Sequence, residues 1–259
     1  MDRSFLSDQD IIAATRDFVC LRASTYESAE EAPFLASLFR GRSGELENTV
    51  FALVEPDGKT QIGRGGRSPG MALGRSKEDI LRGLERTAKR FKVKNTEPPA
   101  TLPLAENVRL AVNVAACDNQ PLVIILAEEE PLRARIEKAL APLAWSEEFL
   151  GQFHYVSSSN ATELAGIAGV AIPAGMLVIE PDRFGTGGKV IASHAVGDAS
   201  RGIAETLRAA LAAFDRKASG DRRDHYREGS REGVNWETAI PVTDPGPGRA
   251  REGGPRPPR

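Results

Sequence analysis

The sequence predicts an α/β protein of two units followed by a disordered tail, and three observations lead to that prediction. The 259 residues alternate between short apolar runs of strand length and longer segments with apolar residues at helical spacing. A proline-rich stretch at 95–103 divides the chain into two units, 1–94 and 104–215. From residue 216 to 259, Arg, Gly, Pro, Asp and Glu dominate, which is typical of a disordered tail.

Composition and charge narrow the classes of partner and site. The net charge of −2 predicts neither nucleic-acid binding nor binding to anionic membranes. No apolar run approaches the ~20 residues of a membrane-spanning helix, and the first residues are polar, so we expect a cytoplasmic protein. Two cysteines far apart make neither a disulfide framework nor a metal set, and the three histidines show no metal spacing. We therefore expect no metal and no cofactor.

The first unit begins with a helix capped by Ser7, followed by a buried strand at 18–21. Residues 28–39 have apolar side chains at helical spacing and predict a helix, in which Pro33 fits only the first turn. A hairpin of strands at 49–54 and 60–62 turns at Glu55-Pro56-Asp57-Gly58-Lys59, where proline presets φ and glycine supplies positive φ. Ser76 caps a closing helix that runs to Phe91.

The second unit alternates helices and strands. Helices are predicted at 104–117, from Pro131 to Pro142, at 160–165 and, capped by Asp198, up to Phe214. Strands are predicted at 122–127 and 153–157, with a hairpin of 176–179 and 189–192. The strand at 122–127 lacks polar alternation, as expected of a central strand covered on both faces.

Val170-Ala171-Ile172-Pro173 directly precedes the apolar strand at 176–179. With the order of elements around it, this resembles the thioredoxin fold. The resemblance implies a cis peptide before Pro173 and a Cys-x-x-Cys where the first core strand of the unit meets its helix. That place is occupied by Ala127-Glu128-Glu129-Glu130-Pro131-Leu132, without cysteine.

The first unit is similar to the same family from its first core helix onward, but it lacks the first core strand. The predicted architecture is therefore two tandem thioredoxin-like domains, the first incomplete, followed by the tail.

The missing motif predicts a protein without dithiol oxidoreductase activity that acts as a protein-binding or scaffold module. One alternative is a redox or sensor protein that uses Cys20 or Cys117 singly. Another is a truncated thiol-disulfide oxidoreductase whose motif lies upstream of Met1. Cys117, near a helix C-terminus, and Cys20, in an apolar strand, are both expected to be buried and inert.

Two further segments are candidates for binding. Arg64, Gly65, Gly66 and Arg67 combine backbone N–H groups with guanidinium groups and form a possible anion site, although the sequence favours a mobile loop between the hairpin and the last helix. Residues 234–242 are the apolar stretch of the tail, and we expect them to dock, through Trp236, on an outer edge or groove of this chain or of a neighbour.

Overall fold

A computed structural model describes residues 8–21, 23, 25–40, 44–48, 50–91, 100–195, 202–216 and 222–243. Helices alternate with strands, and the predicted α/β class is confirmed. The chain divides into two compact units, Met1–Asn95 together with Trp236–Arg259, and Thr96–Asn235. The predicted caps Ser7 and Asp198, residues 95–99 of the predicted linker, and residues 217–221 and 244–259 of the tail lie outside the described residues.

Unit one combines helices with one antiparallel hairpin. Its elements are α1 (Gln9–Thr15), α2 (Ala32–Leu38), β1 (Phe51–Val54), β2 (Gln61–Gly66), α3 (Pro69–Ala72) and α4 (Lys77–Arg90). Asp57 closes the hairpin turn by accepting hydrogen bonds from the Thr60 hydroxyl and from the N–H groups of Thr60 and Lys59. These bonds favour the carboxylate and lower the pKa of Asp57 to about 2.

α4 begins where the sequence predicts, because Ser76 and Asp79 form a capping box. The Ser76 hydroxyl accepts the Asp79 N–H at 3.1 Å, and the Asp79 carboxylate accepts the Ser76 N–H at 3.4 Å. α4 packs against α1 through Ile11, Ile80 and Leu84, and these three side chains form a small hydrophobic core within the described residues of unit one.

The predicted strand at 18–21 is wrong. Phe18 packs against the Ile11, Ile80 and Leu84 cluster, but Val19 and Leu21 are 85% and 84% exposed. A strand is stable only when a neighbour satisfies its backbone, and β1 and β2 pair with each other instead. The apolar run was therefore not a sign of burial.

Unit two is built on a six-stranded mixed sheet in the order β3-β5-β4-β7-β8-β6. Its strands are β3 (Leu104–Ala105), β4 (Leu122–Leu126), β5 (His154–Ser158), β6 (Ile167–Ala168), β7 (Gly175–Pro181) and β8 (Gly188–Ala195). Its helices are α5 (Val108–Asp118), α6 (Glu130–Ala144), α7 (Ile203–Ala213) and α8 (Arg222–Arg231), with a 3₁₀ turn at Ala161–Leu164.

The apolar strand β4 occupies the interior of this sheet, as predicted. It runs parallel to β5 and antiparallel to β7, and all of its residues are buried. One hydrophobic cluster, which includes residues of α6 and α7, covers one face of the sheet, and a second, which includes α5, covers the other. A strand covered on both faces needs no polar alternation, which explains the sequence of β4.

Helix boundaries in unit two differ from the prediction at several places, and α7 begins at Ile203 instead of directly after Asp198. Residues 104–105 form β3, which pairs with β5, so α5 begins at Val108 with Asn107 as its cap. Pro142 lies inside the last turn of α6 instead of ending the helix before it.

The prediction of disorder from 216 to 259 is wrong for the described part of the tail. Residues Arg222–Arg231 form α8. The Phe184 ring contacts the His225 ring at 5.1 Å between centroids, and Arg183 forms an ion pair with Glu228. One aromatic contact and one ion pair anchor this polar helix, and a low apolar content does not reveal them.

Candidate functional site

The first candidate site is the edge of the unit-two sheet where the parallel strands β4 and β5 end. Leu126, the last residue of β4, is paired with Ser158 on one side and Gly175 on the other. The segment that follows β4, the end of β5 and the start of β7 therefore meet at this edge. In the thioredoxin fold, which the sequence resembles, a reactive dithiol is expected at this place.

Backbone contacts fix the segment after β4. The Ala127 N–H donates to the Ser158 carbonyl at 3.1 Å, and the Arg133 guanidinium donates to the Ala127 carbonyl at 2.9 Å. Ala127 is buried, whereas the three glutamates that follow it, at 128–130, are exposed at the start of α6. Carboxylates at a helix N-terminus are stabilised by its dipole, so these glutamates have a structural explanation.

The hydroxyl groups of the two serines at the end of β5 donate hydrogen bonds to neighbouring carboxylates. Ser157 donates to Glu137 of α6 at 2.5 Å. Ser158 donates to Glu163 at 2.8 Å and accepts the Asn160 N–H at 3.0 Å. The bonds of Ser158 fix the connection from β5 to the 3₁₀ turn, and the bond of Ser157 joins β5 to α6.

The predicted cis peptide before Pro173 is wrong, because all peptide bonds of the described residues are trans. Pro173 is exposed, and the backbone enters β7 through Gly175 at a φ of +142°. An X–Pro bond favours trans unless its surroundings select the cis form, and the sequence alone does not show those surroundings.

A small pocket lies beside Gly175. It is lined by Arg135, Met176, His194 and Ile203 and has a volume of about 20 Å³. That volume accommodates about one water molecule, so this pocket is not a substrate cleft.

Both cysteines are free and exposed, which corrects the prediction that they are buried. Cys117 is the penultimate residue of α5 and lies outside the buried face formed by Val108, Ala111, Val112 and Ala115. Cys20 lies between the exposed Val19 and Leu21. α5 leads into the start of β4, so Cys117 is separated from the far edge of the sheet by the five residues of β4, roughly 16 Å.

The candidate anion segment is not a loop. Arg64, Gly65 and Gly66 belong to β2, and Arg67 follows it. Arg67 forms an ion pair with Glu47, whose side chain is 6% exposed. A Cβ atom at Gly66 would lie 2.4 Å from the sulfur of Met71, so close packing explains this glycine. The pairing of Arg67 with a buried carboxylate indicates a structural role for Arg67.

A second candidate site lies in unit one, where residues 236–243, hereafter the strap, contact Tyr26, Glu27 and Leu46. The predicted docking of the tail through Trp236 is thus confirmed, and the strap docks outside the β1–β2 sheet. The sequence identified the docking segment but not its receptor, because nothing in the pattern around Tyr26 or Leu46 marks a binding surface.

Comparisons with protein-family models, with curated proteins and with solved structures find no match to this chain. Among the described residues, no helix has the length and apolar character needed to cross a bilayer. The same part of the chain holds no group of three or more His, Cys, Asp or Glu side chains placed to bind a metal ion.

Proposed function

We propose that this chain is a thioredoxin-like protein without dithiol oxidoreductase activity, acting as a protein-binding or scaffold module. The observation that carries the proposal is the segment after β4, where a buried alanine and three exposed glutamates stand in place of two cysteines. Thiol-disulfide exchange requires a thiolate as nucleophile and a second thiol to resolve the mixed disulfide. Carboxylates supply neither.

The position of the second unit's cysteine strengthens the argument. Cys117 is at the opposite end of β4 from the edge where the reaction takes place in the family that the sequence resembles. Thiol-disulfide exchange needs direct contact between two sulfur atoms, which are about 2.05 Å apart in the disulfide that forms. A thiol roughly 16 Å away along a rigid central strand does not replace the missing pair.

The order of elements in unit two supports the thioredoxin-like part of the proposal. The predicted series of helix, central strand, helix, strand, short helix, hairpin and final helix recurs in α5, β4, α6, β5, the 3₁₀ turn, β7–β8 and α7. The trans bond at Pro173 and the extra short strand β6 depart from the expected pattern. In unit one, the support is limited to the β1–β2 hairpin and the closing helix α4.

A binding role, with a protein partner or a second copy of the chain, agrees with the surface of unit one. Val19 and Leu21 expose apolar side chains almost fully, and Met71 is 52% exposed. Two free, exposed thiols agree with a reducing compartment, and we include a cytoplasmic location in the proposal. The near-neutral net charge of −2 gives no reason to expect nucleic acid or a membrane surface as the partner.

An insulin-reduction assay tests the proposal directly. With dithiothreitol as the electron source, the chain is expected to leave the rate at the uncatalysed background, because no pair of thiols lies at the sheet edge. The double variant Cys20→Ser/Cys117→Ser is expected to behave identically and to keep the far-UV circular dichroism of the parent chain. Turnover that disappears in Cys117→Ser or Cys20→Ser would overturn the proposal.

A second function is favoured by one observation, the exposure of both thiols. A single accessible thiolate can reduce a peroxide, forming a sulfenic acid and releasing water or an alcohol, and a second thiol then converts the sulfenic acid to a disulfide. This mode of action needs no Cys-x-x-Cys motif. It therefore remains the alternative, with Cys20 or Cys117 as the reactive group.

The reactivity of the two thiols, first with a chromogenic disulfide and then with peroxide, separates the two functions. We expect Cys20 and Cys117 to react with a chromogenic disulfide nearly as fast in the folded chain as in urea, because neither side chain is covered. Peroxide is then the discriminating reagent, with Cys20→Ser and Cys117→Ser as matched controls. A rate of sulfenic acid formation close to that of free cysteine supports the binding module, whereas one thiol reacting orders of magnitude faster would favour the sensor.

A further inference from the structure

We propose that the surface formed by Tyr26, Glu27 and Leu46 is a peptide-docking site, and that the strap is its built-in occupant. The partner that fits this site is a protein that presents a non-helical segment with a tryptophan. The inference rests on the proposed binding role and names the surface that performs it.

Hydrogen bonds from Trp236, Ile240 and Thr243 hold the strap on this surface. The Trp236 indole N–H donates to the Glu27 carboxylate at 2.7 Å. The Ile240 backbone N–H donates to the Tyr26 carbonyl at 3.0 Å, and the Thr243 hydroxyl donates to the Leu46 carbonyl at 2.5 Å. The donors are thus spaced at positions i, i+4 and i+7 of the bound segment.

The strap has one inward face, and its backbone bends at Ala239 and Ile240, where the Thr238 hydroxyl donates to the Ile240 carbonyl at 2.7 Å. Residues 236, 238 and 240 are half-buried, whereas residues 237 and 239 between them are exposed. This alternation places a residue that faces the surface at every second position of the strap. Beneath it, Tyr26 and Leu46 are only 7% and 9% exposed, and the Tyr26 hydroxyl donates to the Leu46 carbonyl at 3.2 Å.

The receptor groups recognise a type of segment instead of one sequence. Two of the three acceptors are main-chain carbonyls, and the third is the carboxylate of Glu27. An indole N–H, a backbone N–H four residues later and a hydroxyl three residues after that satisfy all three. Ala239 is exposed, and this position is free to vary. Recognition of a peptide segment through main-chain bonds and a few side-chain anchors is a recurring mode of peptide binding.

Covalent connection determines when the site is open. Because the strap belongs to the same chain, its docking is intramolecular, and a free segment competes only if its concentration exceeds the effective concentration of the strap or if it binds more tightly. Release of the strap is therefore the step that makes the surface available. A tryptophan anchor suits such a switch, since one residue supplies a large share of the binding energy.

A peptide titration with the full-length chain tests the inference. The probe is a fluorescein-labelled peptide with the sequence of residues 234–243, followed by anisotropy. Trp236→Ala/Thr243→Ala removes two of the three anchors and frees the site. We expect this variant to bind the peptide at least about tenfold more tightly than the parent chain does. The chain with Ala239→Ser, an exposed strap position, should exclude the peptide as the parent does.

The anchors are tested in the same assay. Adding Glu27→Gln to the released variant, or replacing tryptophan by alanine in the peptide, should weaken binding by about tenfold. Equal binding to the parent and released chains, no binding to a released chain of unchanged circular dichroism, or indifference to the tryptophan would each overturn the inference. A concentration-dependent dimer of the released chain in sedimentation would assign the site to a second copy instead of a partner.

The intact chain provides a test that does not depend on the stability of a variant. In ¹⁵N-labelled protein, the Ile240 amide should exchange with solvent more slowly than in the free peptide. Excess unlabelled peptide should accelerate that exchange, and an unprotected amide would overturn the inference. Failure of the proposed function is seen separately, because catalytic reduction of insulin would remove it without altering the peptide titration.

Discussion

Replacing Gly175 by alanine is expected to lower the free energy of unfolding of unit two by about 3–4 kcal/mol. Gly175 starts β7 with a φ of +142°, a conformation that residues with a side chain rarely adopt. A Cβ atom built there lies 2.3 Å from the His194 carbonyl oxygen and 3.0 Å from Cδ1 of Ile172. The first of these atoms belongs to the backbone of the paired strand β8 and is not free to move aside.

Gly151→Ala is the matched control for this variant. Gly151 also has a positive φ, +69°, but no atom lies within 4 Å of its added Cβ. Only backbone strain remains, so we expect a loss of about 1 kcal/mol. Urea unfolding followed by Trp145 fluorescence in a Trp236→Phe background monitors unit two, to which Trp145 belongs. Equal losses for the two alanine variants would contradict the close approach of β8 to Gly175.

The parts of the fold that the sequence predicted are those with local causes. The apolar run of β4, the capping box of Ser76 and the Asp57 turn are each determined by neighbouring residues. The segment at 18–21 has the same apolar character as a buried strand, but its burial depended on a partner strand elsewhere in the chain. Short apolar runs are therefore informative only where a neighbour exists to cover them.

The candidate sites divide in the same way. Absence of Cys-x-x-Cys is visible in the sequence, and so is the tail segment around Trp236. The receptor for that segment is not visible in the sequence. Glu27 lies 209 residues from Trp236, and Leu46 lies 197 residues from Thr243. The exposure of Cys117 follows from its angular position on α5, which helical periodicity alone was sufficient to reveal.

Replacing Arg67 by alanine is expected to lower the free energy of unfolding of unit one by about 3 kcal/mol. The variant leaves the carboxylate of Glu47 buried without its cation. Loss of one partner of a buried pair costs about 3–5 kcal/mol, and the lower end applies because the Arg67 side chain is 53% exposed to solvent. Unit one has little reserve against such a loss, since its hydrophobic cluster of Ile11, Ile80 and Leu84 is small.

Trp236 fluorescence in a Trp145→Phe background monitors the unfolding of unit one, because the strap lies on its surface. Arg64→Ala is the matched control, an exposed arginine three residues earlier, and should change stability by less than about 0.5 kcal/mol. In the double variant Glu47→Gln/Arg67→Ala, a neutral amide replaces the buried carboxylate that has lost its cation. We expect this variant to recover most of the free energy of unfolding that Arg67→Ala loses. An anion site would behave differently, because both Arg64 and Arg67 would contribute to anion binding. Phosphate would then raise the melting temperature of the parent chain but not that of Arg67→Ala. That outcome would contradict the structural role assigned to Arg67.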